Sequence, residues 1–116
     1  MPKQKLSPLP SAAFQILLSL ADGDLHGYGM MRQVAEQTGG RMRLGPGTLY
    51  SSIQTLLEEG LIQELDFRQD ERFGYARRRY YRLMPAGRKL ARLEAERLAG
   101  LLRVARAKKI WRGDYV

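Results

Sequence analysis

The sequence predicts a mainly α-helical domain with one small β-hairpin and a long last helix. Three observations support this. Three stretches before residue 60 carry apolar residues at helical spacing and end on glycines or acidic turns. Two stretches between residues 61 and 84 alternate in polarity instead, as half-buried strands do. Beyond Pro85, helical spacing runs to about Lys109, which at roughly 1.5 Å per residue is about 35 Å of helix. A chain of 116 residues is sufficient for one domain and its core, and 44% apolar with 28% charged residues places it among globular chains.

Each element follows from its residues. Lys3 to Pro10 is a proline-containing lead-in, with Ser7 as candidate N-cap. Ser11 to Ala21 is an apolar helix carrying Phe14, Ile16, Leu17, Leu18 and Leu20, wide enough in apolar surface to be buried on more than one side, and Asp22-Gly23-Asp24 ends it. Gly27 to Thr38 is a second helix, with Tyr28, Met31, Val34 and Ala35 at helical spacing and Gly39-Gly40 as its stop. Arg41 to Leu44 alternates briefly and reads as a short strand. Gly45-Pro46-Gly47-Thr48 opens a third helix whose buried stripe is Leu49, Ile53, Leu56 and Leu57, and Glu58-Glu59-Gly60 closes it.

Leu61 to Arg68 reads as a strand with Ile62, Glu64 and Asp66 on one face and Leu61, Leu65 and Phe67 toward the other. Gln69 to Ala76 holds the turn residues Asp70 and Gly74, and Arg78 to Met84 returns as the second strand of a hairpin. The last helix starts at Ala86, just after Pro85. Three helices followed by a hairpin is the winged helix-turn-helix arrangement, in which the third helix enters the major groove and the wing supplies phosphate or minor-groove contacts. The chain then divides into 1–84, a winged helix-turn-helix DNA-binding unit, and 85–116, a dimerisation helix and tail.

Charge supports a polyanionic partner. Of 20 bases and 12 acids, five of each lie in residues 1–60, so the whole net charge of +8 falls in residues 61–116. Fifteen of the bases are Arg, the residue suited to bidentate phosphate and base-edge contacts, and Arg77-Arg78-Arg79 is the tightest run, with Tyr75, Tyr80 and Tyr81 interleaved. The absence of Cys excludes disulfides, iron–sulfur clusters and thiolate zinc sites, and a single His excludes most histidine-built metal or triad chemistry, so neither metal nor cofactor is expected. The lack of Cys also fits a reducing cytoplasm. Ala12 to Ala21, the longest uncharged apolar stretch, is far short of a membrane span, and no membrane partner is expected.

The candidate DNA-binding residues follow from the helix and the wing. The first turns of the third helix hold no acid, which leaves Thr48, Tyr50, Ser51, Gln54 and Thr55 free to approach phosphates and base edges without repulsion. On the wing, Arg72, Arg77 and Arg78 are candidates, whereas Arg79 and Arg82 have Glu64 or Asp66 as alternative partners across the hairpin. His26 reads as a capping or packing residue, and Gly27 and Gly29 as points of close packing, since they lack the rest of any phosphate-loop motif. The last helix carries Leu90, Leu93, Leu98, Leu101, Leu102 and Val104, a stripe too long for one small domain to cover. With Phe14 it is the expected surface of a homodimer. Trp111, the sole Trp, either anchors the tail or stacks a planar ligand.

Four stretches together resemble the PadR-like transcriptional regulators: Leu25-His26-Gly27-Tyr28-Gly29, Gly47-Thr48-Leu49-Tyr50, Leu56 to Ile62, and Arg79-Tyr80-Tyr81-Arg82-Leu83 with Pro85-Ala86-Gly87. The resemblance spans roughly residues 12–108, and a single last helix with a short tail is like the compact subfamily. It implies a homodimeric repressor on double-stranded DNA, relieved by a small hydrophobic or aromatic effector. An alternative is a sequence-independent, architectural nucleic-acid-binding protein, which would have no use for a neutral recognition face. A third is a protein-interaction module, and the Arg-rich wing argues against it. No set of carboxylates with a nucleophile or base points to an enzyme.

Overall fold

The computed structural model describes residues 8–69 and 77–113. In chain order these form α1 (Ser11–Ser19), β1 (Leu25–His26), α2 (Gly27–Gln37), α3 (Pro46–Glu58), β2 (Ile62–Gln69), β3 (Arg77–Leu83) and α4 (Pro85–Ala107). The fold is mainly helical, with one three-stranded antiparallel sheet in the order β1-β3-β2. Ser7, Asp70, Arg72, Gly74 and Tyr75 lie outside the described residues.

The helix stops act as their residue types require. The N–H groups of Gly39 and Gly40 donate to the carbonyls of Glu36 and Ala35, and those of Gly60 and Leu61 to Leu57 and Leu56. These are Schellman closures, with Gly39 at φ +61° and Gly60 at φ +71°, a left-handed region open to glycine at no steric cost. At the end of α4 the same closure is made by Lys109, at φ +61°.

The core joins Ile16, Leu17 and Leu20 of the α1 segment to Met30 and Val34 of α2 and Leu49, Ile53 and Leu56 of α3. The start of α4 shares it through Leu90 and Ala91. Gly87 makes this approach possible. A Cβ there would overlap the Leu61 carbonyl oxygen, which already accepts from the Met84 N–H. Leu90 is only 8% exposed, so it belongs to its own domain's core and not to an outward dimer surface as the sequence led us to expect.

Three further expectations change. Arg41 to Leu44 forms no strand; β1 occupies the free edge of β3, with Leu25 opposite Tyr81 and His26 opposite Tyr80, and Leu44 is buried in the core instead. A two-residue strand carries no alternation to be read in sequence. In β2 a bulge between Glu64 and Phe67 shifts the alternation: Glu64 faces Tyr81 and Phe67 faces Arg79, so Glu64 and Phe67 share a face. Arg82 pairs with neither hairpin acid. Its Nε and Nη2 donate to Asp24 Oδ1 and Oδ2 at 3.0 and 2.9 Å, since Asp24 enters β1 on the other side of β3.

Candidate nucleic-acid interface

α3 is held by Leu49, Ile53 and Leu56 against the core, and this turns Thr48, Tyr50, Ser51 and Gln54 outward, with Thr55 half-buried. Pro46 occupies the first turn, where its missing N–H costs nothing, and no acid stands there. Ser51 Oγ donates to the Thr48 carbonyl and Thr55 Oγ1 to the Ser51 carbonyl, both at 3.2 Å. Held so, these hydroxyls offer lone pairs outward, while the Gln54 amide offers both donor and acceptor. The five residues read from the sequence thus occur together on one helix.

Tyr50 has a second contact that spacing does not reveal. A Cβ at Gly27 would stand 2.6 Å from its phenol oxygen, so Tyr50 leans back on the start of α2 and Gly27 makes room for it. α2 begins at His26, whose Nδ1 accepts from the Gly29 N–H at 3.0 Å. An accepting Nδ1 carries no hydrogen, so the cap uses the Nε2–H tautomer. The buried imidazole also meets the Tyr80 ring edge-on, centroids 5.2 Å apart.

The root of the wing is tied down. Arg79 Nε lies 3.3 Å from Glu64 Oε1, and its guanidinium stacks 4.2 Å over Phe67, both made possible by the bulge. Arg78, expected on the DNA side, is half-buried with its guanidinium 5.6 Å from the centre of the Tyr28 ring. Arg77 enters through its backbone, paired with Gln69. Between α2, α3 and the hairpin, Tyr28, Tyr50, Phe67, Tyr81, Arg78 and Arg79 line a cavity of about 390 Å³. Burial pushes the Tyr81 phenol above its ordinary range, and the Glu64 charge and Tyr50 add to this.

The second half of α4 leaves the domain. Leu93, Leu101, Leu102 and Val104 are about half exposed and Leu98 is half-buried. On α1, Phe14 packs half-buried against the core, and Leu18 is exposed beside it on the next turn; the sequence reading did not include Leu18 in this surface. Trp111 is half-buried, with its backbone N–H 3.3 Å from the Ala105 carbonyl. Where α4 is still covered, Glu94 is buried and accepts from Arg97 Nε at 2.9 Å and from the Leu9 N–H at 3.4 Å. The Arg97 hydrogen bond holds the Glu94 carboxyl below the ordinary glutamate range, against the opposing effect of its burial.

No described helix is long and apolar enough to cross a membrane, and no group of three or more metal-ligating side chains occurs among the described residues. A winged helix whose outward α3 has no acid in its first turn, beside an arginine-rich hairpin, is the framework of a DNA-binding transcriptional regulator. Residues 16–98 match the Transcriptional regulator PadR-like family, and the chain belongs to that family. It is similar to a transcriptional regulator from Clostridium thermocellum, with a TM-score of 0.68 and 26% identity over 82% of this chain and 89% of that one. It shares its fold with a PadR family transcription regulator from Clostridium difficile, with a TM-score of 0.71 and 22% identity over 84% and 97% of the two chains. The fold also matches Bacillus subtilis PadR in complex with operator DNA, with a TM-score of 0.57 and 24% identity over 73% and 46%. A curated relative, the uncharacterized 37.1 kDa protein in transposon TN4556 of Streptomyces fradiae, is 39% identical over 90 residues, which are 78% of this chain. The match covers 24% of that relative's length, so the chain spans about a quarter of it.

Proposed function

We propose that the protein is a cytoplasmic, homodimeric repressor that binds an inverted-repeat operator in double-stranded DNA and is released by a small hydrophobic or aromatic effector. The observation that carries the DNA part is the α3 face: Thr48, Tyr50, Ser51 and Gln54 stand outward on a helix with no acid in its first turn. Base-edge contacts fall to Ser51, Gln54 and Thr55, and phosphate contacts to Tyr50 and to the wing bases, with Arg72 and Arg77 proposed on sequence alone. The dimer rests on the uncovered half of α4, where Leu98 and Leu101 continue the buried face of Leu90 and Glu94 past the end of the domain. Two copies joined there would set their α3 helices on successive major grooves, about 34–36 Å apart.

The test is fluorescence anisotropy on DNA from the protein's own upstream region, with excess random duplex at near-physiological salt. Nanomolar binding that survives the competitor, with a footprint of two symmetric halves, is expected. Binding abolished by random duplex would leave a sequence-independent electrostatic binder, the reading that the basic surplus in residues 61–116 favours.

A further inference from the structure

Gly27 opens α2 without the backbone reason that other glycines of the chain have. Its φ lies outside the left-handed region that Gly39, Gly40 and Gly60 occupy. In a helix Ala is the better residue, because glycine loses more backbone freedom on folding. What the missing side chain provides is room. A Cβ on Gly27 would stand 2.6 Å from the Tyr50 phenol oxygen and 3.2 Å from Cζ, the ring carbon that bears it. The next neighbour, Leu49 Cδ2 at 3.4 Å, is an ordinary contact. The atoms that would have to give way therefore lie at the far end of one side chain. At Gly87, by contrast, a Cβ would meet a backbone oxygen.

The contact matters because of where Tyr50 stands. It is half exposed on the outward face of α3, while Gly27 is buried at the start of α2. A tyrosine on a helix surface has more than one staggered rotamer open to it. Here the phenol end rests on the bare backbone of Gly27, and that support selects one position. We propose that Gly27 is a positioning residue for DNA recognition: its missing side chain seats the Tyr50 phenol against α2 and so fixes where that hydroxyl meets the DNA backbone. The inference rests on the reading of α3 as the DNA face. A methyl group at Gly27 would push the phenol away by roughly 1 Å to restore van der Waals distance. A hydroxyl–phosphate hydrogen bond, about 2.7 Å long, is broken or stretched by a shift of that size.

The experiment compares Gly27→Ala, Tyr50→Phe, the double variant and Gly29→Ala in the full chain. Fluorine NMR of fluorotyrosine-labelled protein reads the seat without DNA, and anisotropy on the operator duplex reads binding. The Tyr50 resonance, identified by its loss in Tyr50→Phe, should shift in Gly27→Ala. It should keep its place in Gly29→Ala, where a Cβ meets nothing closer than 3.4 Å. The melting temperature of Gly27→Ala should match or exceed the parent's, since only a flexible side chain moves. Its operator affinity should fall about tenfold, the scale of one hydrogen bond to a charged group. Tyr50→Phe should lose a similar factor, and adding Gly27→Ala to it should weaken binding no further, because Phe lacks the oxygen that the new methyl group meets. Gly29→Ala should bind as the parent does. An equal loss from Gly27→Ala with and without Tyr50→Phe would overturn the proposal, as would an unmoved Tyr50 resonance or parent-like operator affinity in Gly27→Ala. A shifted resonance in a chain whose parent holds no operator against random duplex would sink the DNA reading itself, and with it the role given to Gly27.

Discussion

α4 is one helix in two environments, and its halves are built on the same pattern. From Pro85 to Glu94 the residues Gly87, Leu90, Ala91 and Glu94 face inward and are buried. From Leu98 the same face continues at spacings of three and four through Leu101 and Ala105, yet Leu101 is 53% exposed. Nothing in the chemistry of the second half differs from the first; what differs is that α1 and the sheet have ended. Helical periodicity thus reports that a face is to be covered, and not by which surface. In the first half the cover is intramolecular and tight enough to need a glycine. In the second it is open to a second copy.

The comparison can be broken first at Gly87. Gly87→Ala places a methyl group on the Leu61 carbonyl oxygen, a backbone atom that cannot swing aside, and should destabilise the domain by about 3 kcal/mol. Urea denaturation would show this as a lower midpoint at unchanged slope. A parent-like midpoint would mean that the start of α4 is not locked on Leu61 in solution. In the second half, Leu101→Arg should leave the monomer's melting curve nearly intact but convert the protein to a monomer by sedimentation. It should also weaken operator binding by at least about tenfold through lost bivalency. A stable dimer in this variant would move the interface elsewhere.

Glu94→Gln sharpens the boundary between the halves. The Glu94 carboxyl titrates below its ordinary value in the folded chain, so its pairing with Arg97 stabilises fully above the unfolded glutamate range. That stability is lost as pH falls through the depressed folded value. The melting temperatures of parent and variant should therefore differ most at neutral pH and converge in acid; a gap independent of pH would assign the effect to packing. The smallest effect lies at the far end. Lys109 holds a left-handed backbone conformation that costs a non-glycine residue energy, and Lys109→Gly should stabilise the end of α4 by up to about 1 kcal/mol. A melting temperature at or below the parent's would show that Lys109 is not strained there.

Much of the fold was legible because its signals are local. Gly39-Gly40 and Gly60 stop helices by taking up the left-handed backbone just past their ends, Pro46 starts one, and His26 is placed to cap the helix that begins beside it. The α3 face was legible for the same reason: once Leu49, Ile53 and Leu56 are turned inward, the geometry of one helix places Tyr50, Ser51 and Gln54 outward. The ion-pair choice of Arg79 was half legible, since Glu64 lies across the hairpin, but its stacking on Phe67 depends on a bulge that no residue announces.

What only the tertiary structure decided are the choices between partners of equal local merit. Arg82 had Glu64 and Asp66 as expected partners across the hairpin but takes Asp24, because β1 adds itself to the edge of β3 and brings that carboxylate alongside. Arg78 and Arg79 are adjacent in one arginine run and line one cavity, yet one stacks on Tyr28 of α2 and the other bridges Glu64 and Phe67 of β2. Leu90 and Leu93 belong to one leucine stripe, and the turn of the helix gives one to the core and the other to the surface. By itself, the sequence determined where the helices start and stop, since those signals depend on neighbours a few residues away. The pairing of β1, the bulge and the division of α4 were set by surfaces far apart in the chain, whose contacts exist only once the elements have packed.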